Sequence, residues 1–244
     1  MWNGKKKAVT FSFDDGVMQD IKTIEILNKY DLKATFNINS GNFGLSFPLR
    51  MRGGRMGEST IISADELRKT YKDHEVAVHT LSHYNLTELN EDDIIWQVEE
   101  DRKNLEKLVG YPVRCMAYPC GGVNNDDRVA NIIKNRTKIK FARTVTSTGN
   151  FDLQENLYQF NPTVYMVHYE EMIDLARKFI KLKADTPKIF YIWGHAYEFD
   201  MEDINYEKFE EFCKLISGKE DIYYGTNAEI FLNNSNDFNI RDKK

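Results

Sequence analysis

Cysteine is scarce in this chain: Cys115, Cys120 and Cys213 are the only three in 244 residues, and no two form a C-x-x-C pair. That odd, scattered set argues against a disulfide framework and favours a reducing compartment. Positive charge is not in excess either, with 33 Lys and Arg against 38 Asp and Glu and a net charge of -5. Neither nucleic acid nor an anionic membrane surface is therefore an expected partner. The longest apolar runs are only strand length, so no segment is predicted to insert in a membrane. No apolar leader follows Met1, because Trp2-Asn3-Gly4 runs directly into Lys5-Lys6-Lys7. The expected location is the cytoplasm if Met1 is the native start, and the cell exterior or wall if a signal peptide has been lost. Internal repeats and low-complexity segments are also absent. What remains, 41% hydrophobic residues, suffices for one α/β domain over residues 1–232, followed by a polar tail, 233–244, expected to fray.

The most informative stretch is Thr10-Phe11-Ser12-Phe13-Asp14-Asp15-Gly16. The run from Ala8 to Phe13 has the apolar, β-branched and aromatic character of a strand covered on both faces, and Gly16 permits a sharp exit. Adjacent strand side chains point oppositely, so Asp14 and Asp15 are not equivalent: one can ligate a metal while the other acts as a base. A plain Asp-Asp-Gly turn is the bland alternative.

A second constellation weakens that alternative. Glu75-Val76-Ala77-Val78 reads as another short buried strand, and His79-Thr80-Leu81-Ser82-His83 follows it. Two imidazoles four residues apart share a face if the chain turns helical after His79. With Asp15 they make a two-histidine, one-carboxylate set suited to a divalent metal, zinc first, with iron, cobalt or nickel also compatible.

T-F-S-F-D-D-G followed by H-T-L-S-H resembles the first two motifs of the polysaccharide deacetylases, carbohydrate esterase family 4. The resemblance implies a distorted (β/α)7 barrel and metal-dependent removal of acetyl groups from an N- or O-acetylated carbohydrate. It implies Asp14 as general base and Asp15, His79 and His83 as metal ligands. The family's third motif, R-x-P-Y-G, corresponds to Ala117-Tyr118-Pro119-Cys120-Gly121. Pro119 and Gly121 match, the usual arginine is replaced by Ala117, and Cys120 stands where an aromatic is usual. By the same analogy Tyr118, Pro119, Cys120, Gly121 and Trp193 are substrate-side residues, with the Cys120 N–H a candidate oxyanion donor; the Cys120 thiol itself reads as packing. No stretch resembles the fourth motif. Phe141-Ala142-Arg143-Thr144-Val145, followed by Thr148-Gly149-Asn150-Phe151-Asp152-Leu153, is similar to a variant branch, in which Arg143 would replace the missing arginine and pair bidentately with Asp14. Ile189-Phe190-Tyr191-Ile192-Trp193-Gly194-His195 resembles the final motif and implies His195 as general acid, with Tyr197 and Glu198 as neighbours. Two other readings stay open: hydrolysis of a non-peptide C–N bond in a small molecule, or an inactive carbohydrate-binding member.

Periodicity gives the β-α order of a parallel sheet. Helices are predicted over Gln19 to Tyr30, Ala64 to Lys72 with Ser63 as cap, Glu91 to Val109, Asp126 to Asn135, Glu170 to Leu182 and Tyr206 to Ile216. Strands are predicted over Ala34 to Ile38, Arg114 to Ala117, Lys138 to Val145 and Ile222 to Tyr224. In the helix from Glu91, the residues Ile94, Ile95, Val98, Leu105 and Leu108 form the apolar face. The stretch Gly41 to Thr60, with Arg50, Arg52 and Arg55, is long for a connection and reads as a substrate-side loop.

Overall fold

The computed structural model describes residues 2–232; the tail expected to fray lies outside them. The first strand, β1 (Lys7–Asp14), is buried at every position. Its alternation sorts two environments. Val9, Phe11 and Phe13 join the large apolar cluster between sheet and helices, where Phe11 and Phe13 pack edge-on against Phe209. Ala8, Thr10, Ser12 and Asp14 have the opposite parity and face the barrel interior, apolar at Ala8 and charged at Asp14.

Helix α1 (Asp20–Lys29) leads to β2 (Ala34–Ile38), then to a hairpin of β3 (Ser46–Arg50) and β4 (Met56–Thr60), helix α2 (Ala64–Thr70) and β5 (Glu75–Val78). Helix α3 (Glu91–Val109) is capped by the Asn90 side chain, which accepts the Asp93 N–H, and it ends at Gly110 with φ of 80°. There follow β6 (Cys115–Ala117), α4 (Asp127–Arg136), β7 (Phe141–Arg143), β8 (Val164–Tyr165), α5 (Tyr169–Lys181), β9 (Lys188–Gly194), α6 (Glu198–Met201), α7 (Tyr206–Ile216), β10 (Ile222–Tyr224) and α8 (Asn227–Phe231).

Among the described residues the main sheet is parallel throughout, in the order β7-β6-β5-β2-β1-β9-β8, with β10 against the start of β1. The curl is completed by residues 157–165. Phe160 donates to the Ala142 carbonyl of β7 and accepts from Thr144 just after it, and Thr163 donates to Tyr191 of β9. The curled (β/α)7 architecture expected from the sequence is therefore present. Helix α8 plugs the end opposite the β1 carboxylates: Phe231 stacks on Phe141 with ring centroids 4.1 Å apart, and the Trp2 indole donates to the Ile230 carbonyl.

Several local expectations change. The strand predicted over Lys138 to Val145 is confined to β7 and ends at Arg143. Ser63 occupies the N-cap position of α2, but its hydroxyl donates to the Glu66 carboxylate, and no cap bond to the backbone forms. Of the stretch Gly41 to Thr60, read as a substrate-side loop, residues 46–60 form the β3–β4 hairpin. Arg52 binds it to the segment after β9, donating from its side chain to the carbonyls of Phe199, Glu202 and Ile204. Among the described residues no helix is long and apolar enough to cross a membrane.

Candidate active site

Strand β1 ends in two carboxylates because the chain turns sharply there: Asp15 has φ of 78° and Gly16 φ of 65°. The turn leaves the Asp14 side chain 2% exposed and the Asp15 side chain 14% exposed. The two acids are inequivalent as expected, but by the turn at Asp15 rather than by strand alternation, since β1 ends at Asp14.

Asp14 is held by charge. The Arg143 Nη2 donates to both of its oxygens at 2.5 Å, and the Asn37 amide donates to Oδ1 at 2.8 Å. The pair differs from the expected two-nitrogen fork, because Arg143 Nε donates to Ser12 Oγ and Nη1 to the Thr144 carbonyl. Arg143 stands beside Ala117 in the β6–β7 register, so its guanidinium reaches Asp14 from the neighbouring strand. The guanidinium also lies 4.7 Å from the centre of the Trp193 ring. Burial resists ionisation of Asp14, yet Arg143 and the nearby imidazoles of His79 and His195 outweigh it and hold the carboxyl below its ordinary range.

Asp15, His79 and His83 come together, with ligand atoms within 4.8 Å of one another. Asp15 Oδ1 is 3.6 Å from His79 Nε2 and 3.4 Å from His83 Nε2. No helix brings the imidazoles together, contrary to expectation. Residues 79–83 form a bent loop with Thr80 at φ 64° and His83 at φ 60°. His79 Nδ1 lies 2.9 Å from the Ala117 carbonyl, which accepts only from a protonated nitrogen and so leaves Nε2 as the free lone pair. Burial, the largest influence, pushes the His79 imidazole down to about 4 despite the neighbouring carboxylates. A neutral imidazole with a fixed tautomer, a second imidazole and a partly exposed carboxylate form a donor set that fits a divalent ion.

The third group is His195, at the end of β9. Its Nε2 faces Asp14 Oδ2 at 4.0 Å, and its Nδ1 donates to Glu198 Oε1 at 2.9 Å. Glu198 also accepts the His195 backbone N–H through Oε2 and the Tyr165 hydroxyl through Oε1. Burial works against the imidazolium, but the Glu198 carboxylate, with Asp15 and Asp14, carries His195 from 6.5 up to about 9. A raised folded value stabilises the fold fully below pH 6.5 and loses that contribution as pH rises through about 9. In metal-free protein, Glu198→Gln is expected to flatten the fall in urea-unfolding stability across that window. An unchanged slope would remove Glu198 as the source of the charge.

These groups share one cavity of about 470 Å³ with Tyr118, Cys120, Gly121 and Trp193. Pro119 is not part of its lining; its carbonyl accepts from Asn124, which also bonds the carbonyls of Tyr118 and Cys120. Tyr118 is fully buried and its hydroxyl donates to the Tyr158 carbonyl, so it forms wall rather than a sugar-stacking platform. Trp193 is likewise only 7% exposed and stacks on Tyr165. Tyr197 stacks on His195, and Phe47 of the hairpin meets Tyr197 edge-on, which places the hairpin behind the cavity wall. Cys120 has φ of 68° and turns its thiol toward the His83 carbonyl at 3.5 Å. Ser12, Asn37 and Tyr165 were not singled out in the sequence. Ser12 had a legible signal, as a polar residue sharing the parity of Asp14.

The polysaccharide deacetylase family model matches residues 2–136. A curated relative, a probable 4-deoxy-4-formamido-L-arabinose-phosphoundecaprenol deformylase of Wigglesworthia glossinidia brevipalpis, is 26% identical in an alignment 148 positions long that covers 48% of this chain and 51% of that protein. The chain thus spans about half the length of that relative. Among solved structures, peptidoglycan deacetylase PdaC of Bacillus subtilis aligns over 93% of this chain and 90% of its own, at 16% identity and a TM-score of 0.53. A family 4 pseudoenzyme of Bacillus anthracis aligns over 93% and 65%, at 18% identity and a TM-score of 0.55. The fold is common to an enzyme and a pseudoenzyme, so the activity has to be argued from the side chains.

Proposed function

This chain belongs to the polysaccharide deacetylase family, and from that premise we propose that it is a metal-dependent hydrolase removing an acetyl group from an acylated carbohydrate. One observation carries the proposal: Asp14, the two-histidine, one-carboxylate set and His195 all line the same cavity, with Arg143 behind Asp14 and Glu198 behind His195. An inactive binding protein has no use for three such arrangements, each with its own supporting hydrogen bonds.

Asp15, His79 and His83 would hold the ion, zinc first among the candidates. When bound, it supplies Lewis acidity and makes a neighbouring water a better nucleophile at neutral pH. Asp14, kept ionised by Arg143, accepts the proton of the attacking water. His195, kept charged by Glu198, gives its Nε2 proton to the departing nitrogen or oxygen. The Cys120 backbone N–H is the candidate donor to the developing oxyanion. Trp193, whose ring lies over the Arg143 guanidinium, shields that charge, and a low-dielectric surrounding strengthens its pair with Asp14.

The acyl group has a second candidate, because the curated relative is described as acting on a formamido sugar. Acetate and formate release should therefore be measured in parallel, on N-acetylated chitooligosaccharides and on an N-formylated amino sugar. Chelation followed by dialysis is expected to abolish release, and zinc or cobalt to restore it. Bound metal with neither product would favour the inactive binding reading, and unimpaired release after chelation would remove the metal from the mechanism.

A further inference from the structure

The loop His79–His83 carries two of the three proposed ligands in a shape that it would not adopt unaided, since Thr80 and His83 both sit in the left-handed region that a Cβ disfavours. Such a conformation persists only where its surroundings over-determine it. The surroundings are specific. Asp101 Oδ2 shares the His79 N–H with the Ile38 carbonyl of β2, each at 3.1 Å, while its Oδ1 accepts the Ser40 N–H at 2.7 Å. Gln97 takes two amides further along the loop: its backbone carbonyl accepts from Leu81 at 2.9 Å and its side-chain Oε1 from Ser82 at 3.1 Å. From the other side, the Asn39 amide donates to the carbonyls of His79 and Thr80.

Gln97 and Asp101 lie four residues apart on the buried face of α3, at 4% and 0% exposure, in the same row as Ile94, Val98 and Leu105. Polar residues in an apolar row need a reason, and here every polar oxygen of the two side chains is used on the histidine loop or on the loop after β2. The two loops approach so closely that a Cβ at Gly41 would lie 2.5 Å from the Leu81 carbonyl.

We propose that Gln97 and Asp101 of α3, with Asn39, are positioning residues that clamp the His79–His83 loop in its metal-binding shape. The proposal rests on the metal-dependent reading of the site. It makes α3, through its polar row, part of the metal site although none of its side chains reaches an ion.

The test is metal affinity, measured by competition with a zinc chelator and by the visible spectrum on cobalt titration, for the wild type, Gln97→Met, Gln97→Glu and Asp101→Asn. Gln97→Met keeps volume and loses the acceptor. Asp101→Asn keeps shape but offers one acceptor to two amides. Both are expected to bind metal about 10- to 100-fold more weakly, the usual range for groups that orient ligands. Gln97→Glu, which keeps an acceptor oxygen, is expected to stay within a few-fold of the wild type. Folded variants with wild-type affinity and cobalt spectrum would overturn the clamp, whatever their thermal stability. If Asp101→Asn fails to fold, the contrast between the two Gln97 variants decides. A wild type that binds no metal would instead overturn the metal reading and the clamp with it.

Discussion

The Asp14→Asn protein is expected to bind metal as the wild type does and to lose about 10²- to 10⁴-fold in kcat, the range that a positioned base contributes. The amide matches the carboxylate in shape but cannot accept the proton. Measuring metal content, folded fraction and acyl release on one sample separates this from collapse of the site, since Asp15, His79 and His83 remain in place. Stability is expected to fall as well, because Arg143, fully buried, loses the charge it faces. Release within tenfold of the wild type would sink the assignment of Asp14 as base.

Arg143→Ala is expected to have the largest effect on stability. It leaves the Asp14 carboxylate buried with only Asn37 donating to it, and breaking a buried pair from one side costs about 3–5 kcal/mol. Urea unfolding at neutral pH measures this directly. The acid limb of the activity profile is expected to move to higher pH, because burial raises the Asp14 carboxyl and the guanidinium is the first-ranked influence that lowers it. Arg143→Lys should not rescue: an ammonium cannot serve Ser12, the Thr144 carbonyl and both Asp14 oxygens at once. Wild-type kcat/KM in Arg143→Ala would end the idea that β7 supplies the arginine absent from Ala117.

Much of the site was legible because strand ends carry it. Asp14, Asp15 and His195 close apolar runs, and a parallel barrel gathers such ends on one face. Glu91–Val109 and Ile222–Tyr224 were likewise readable at their observed limits, the helix from the 3.6-residue periodicity of its apolar face and the strand from its β-branched and aromatic residues. The hairpin at Ser46–Thr60 was not, since its exposed strands lack the apolar alternation that marks a buried one. Nor was the reason the histidines converge. Their spacing fits a helix, and only the contacts of a loop with two left-handed residues show another route to the same juxtaposition.

By itself the sequence determined which chemistry is present: two inequivalent acids, a ligand-spaced histidine pair and a terminal histidine, each marked by local pattern. Tertiary structure alone decided how those groups are tuned. The Arg143–Asp14 pair was implied by the resemblance, but its one-nitrogen geometry was not; nor was the bond by which Glu198 charges His195, or the grip of the polar row of α3 on the histidine loop. Between Arg143 and Asp14, and between Asp101 and His79, the partners are far apart in the chain, and their interaction depends on burial and distance, which no local pattern of residues encodes.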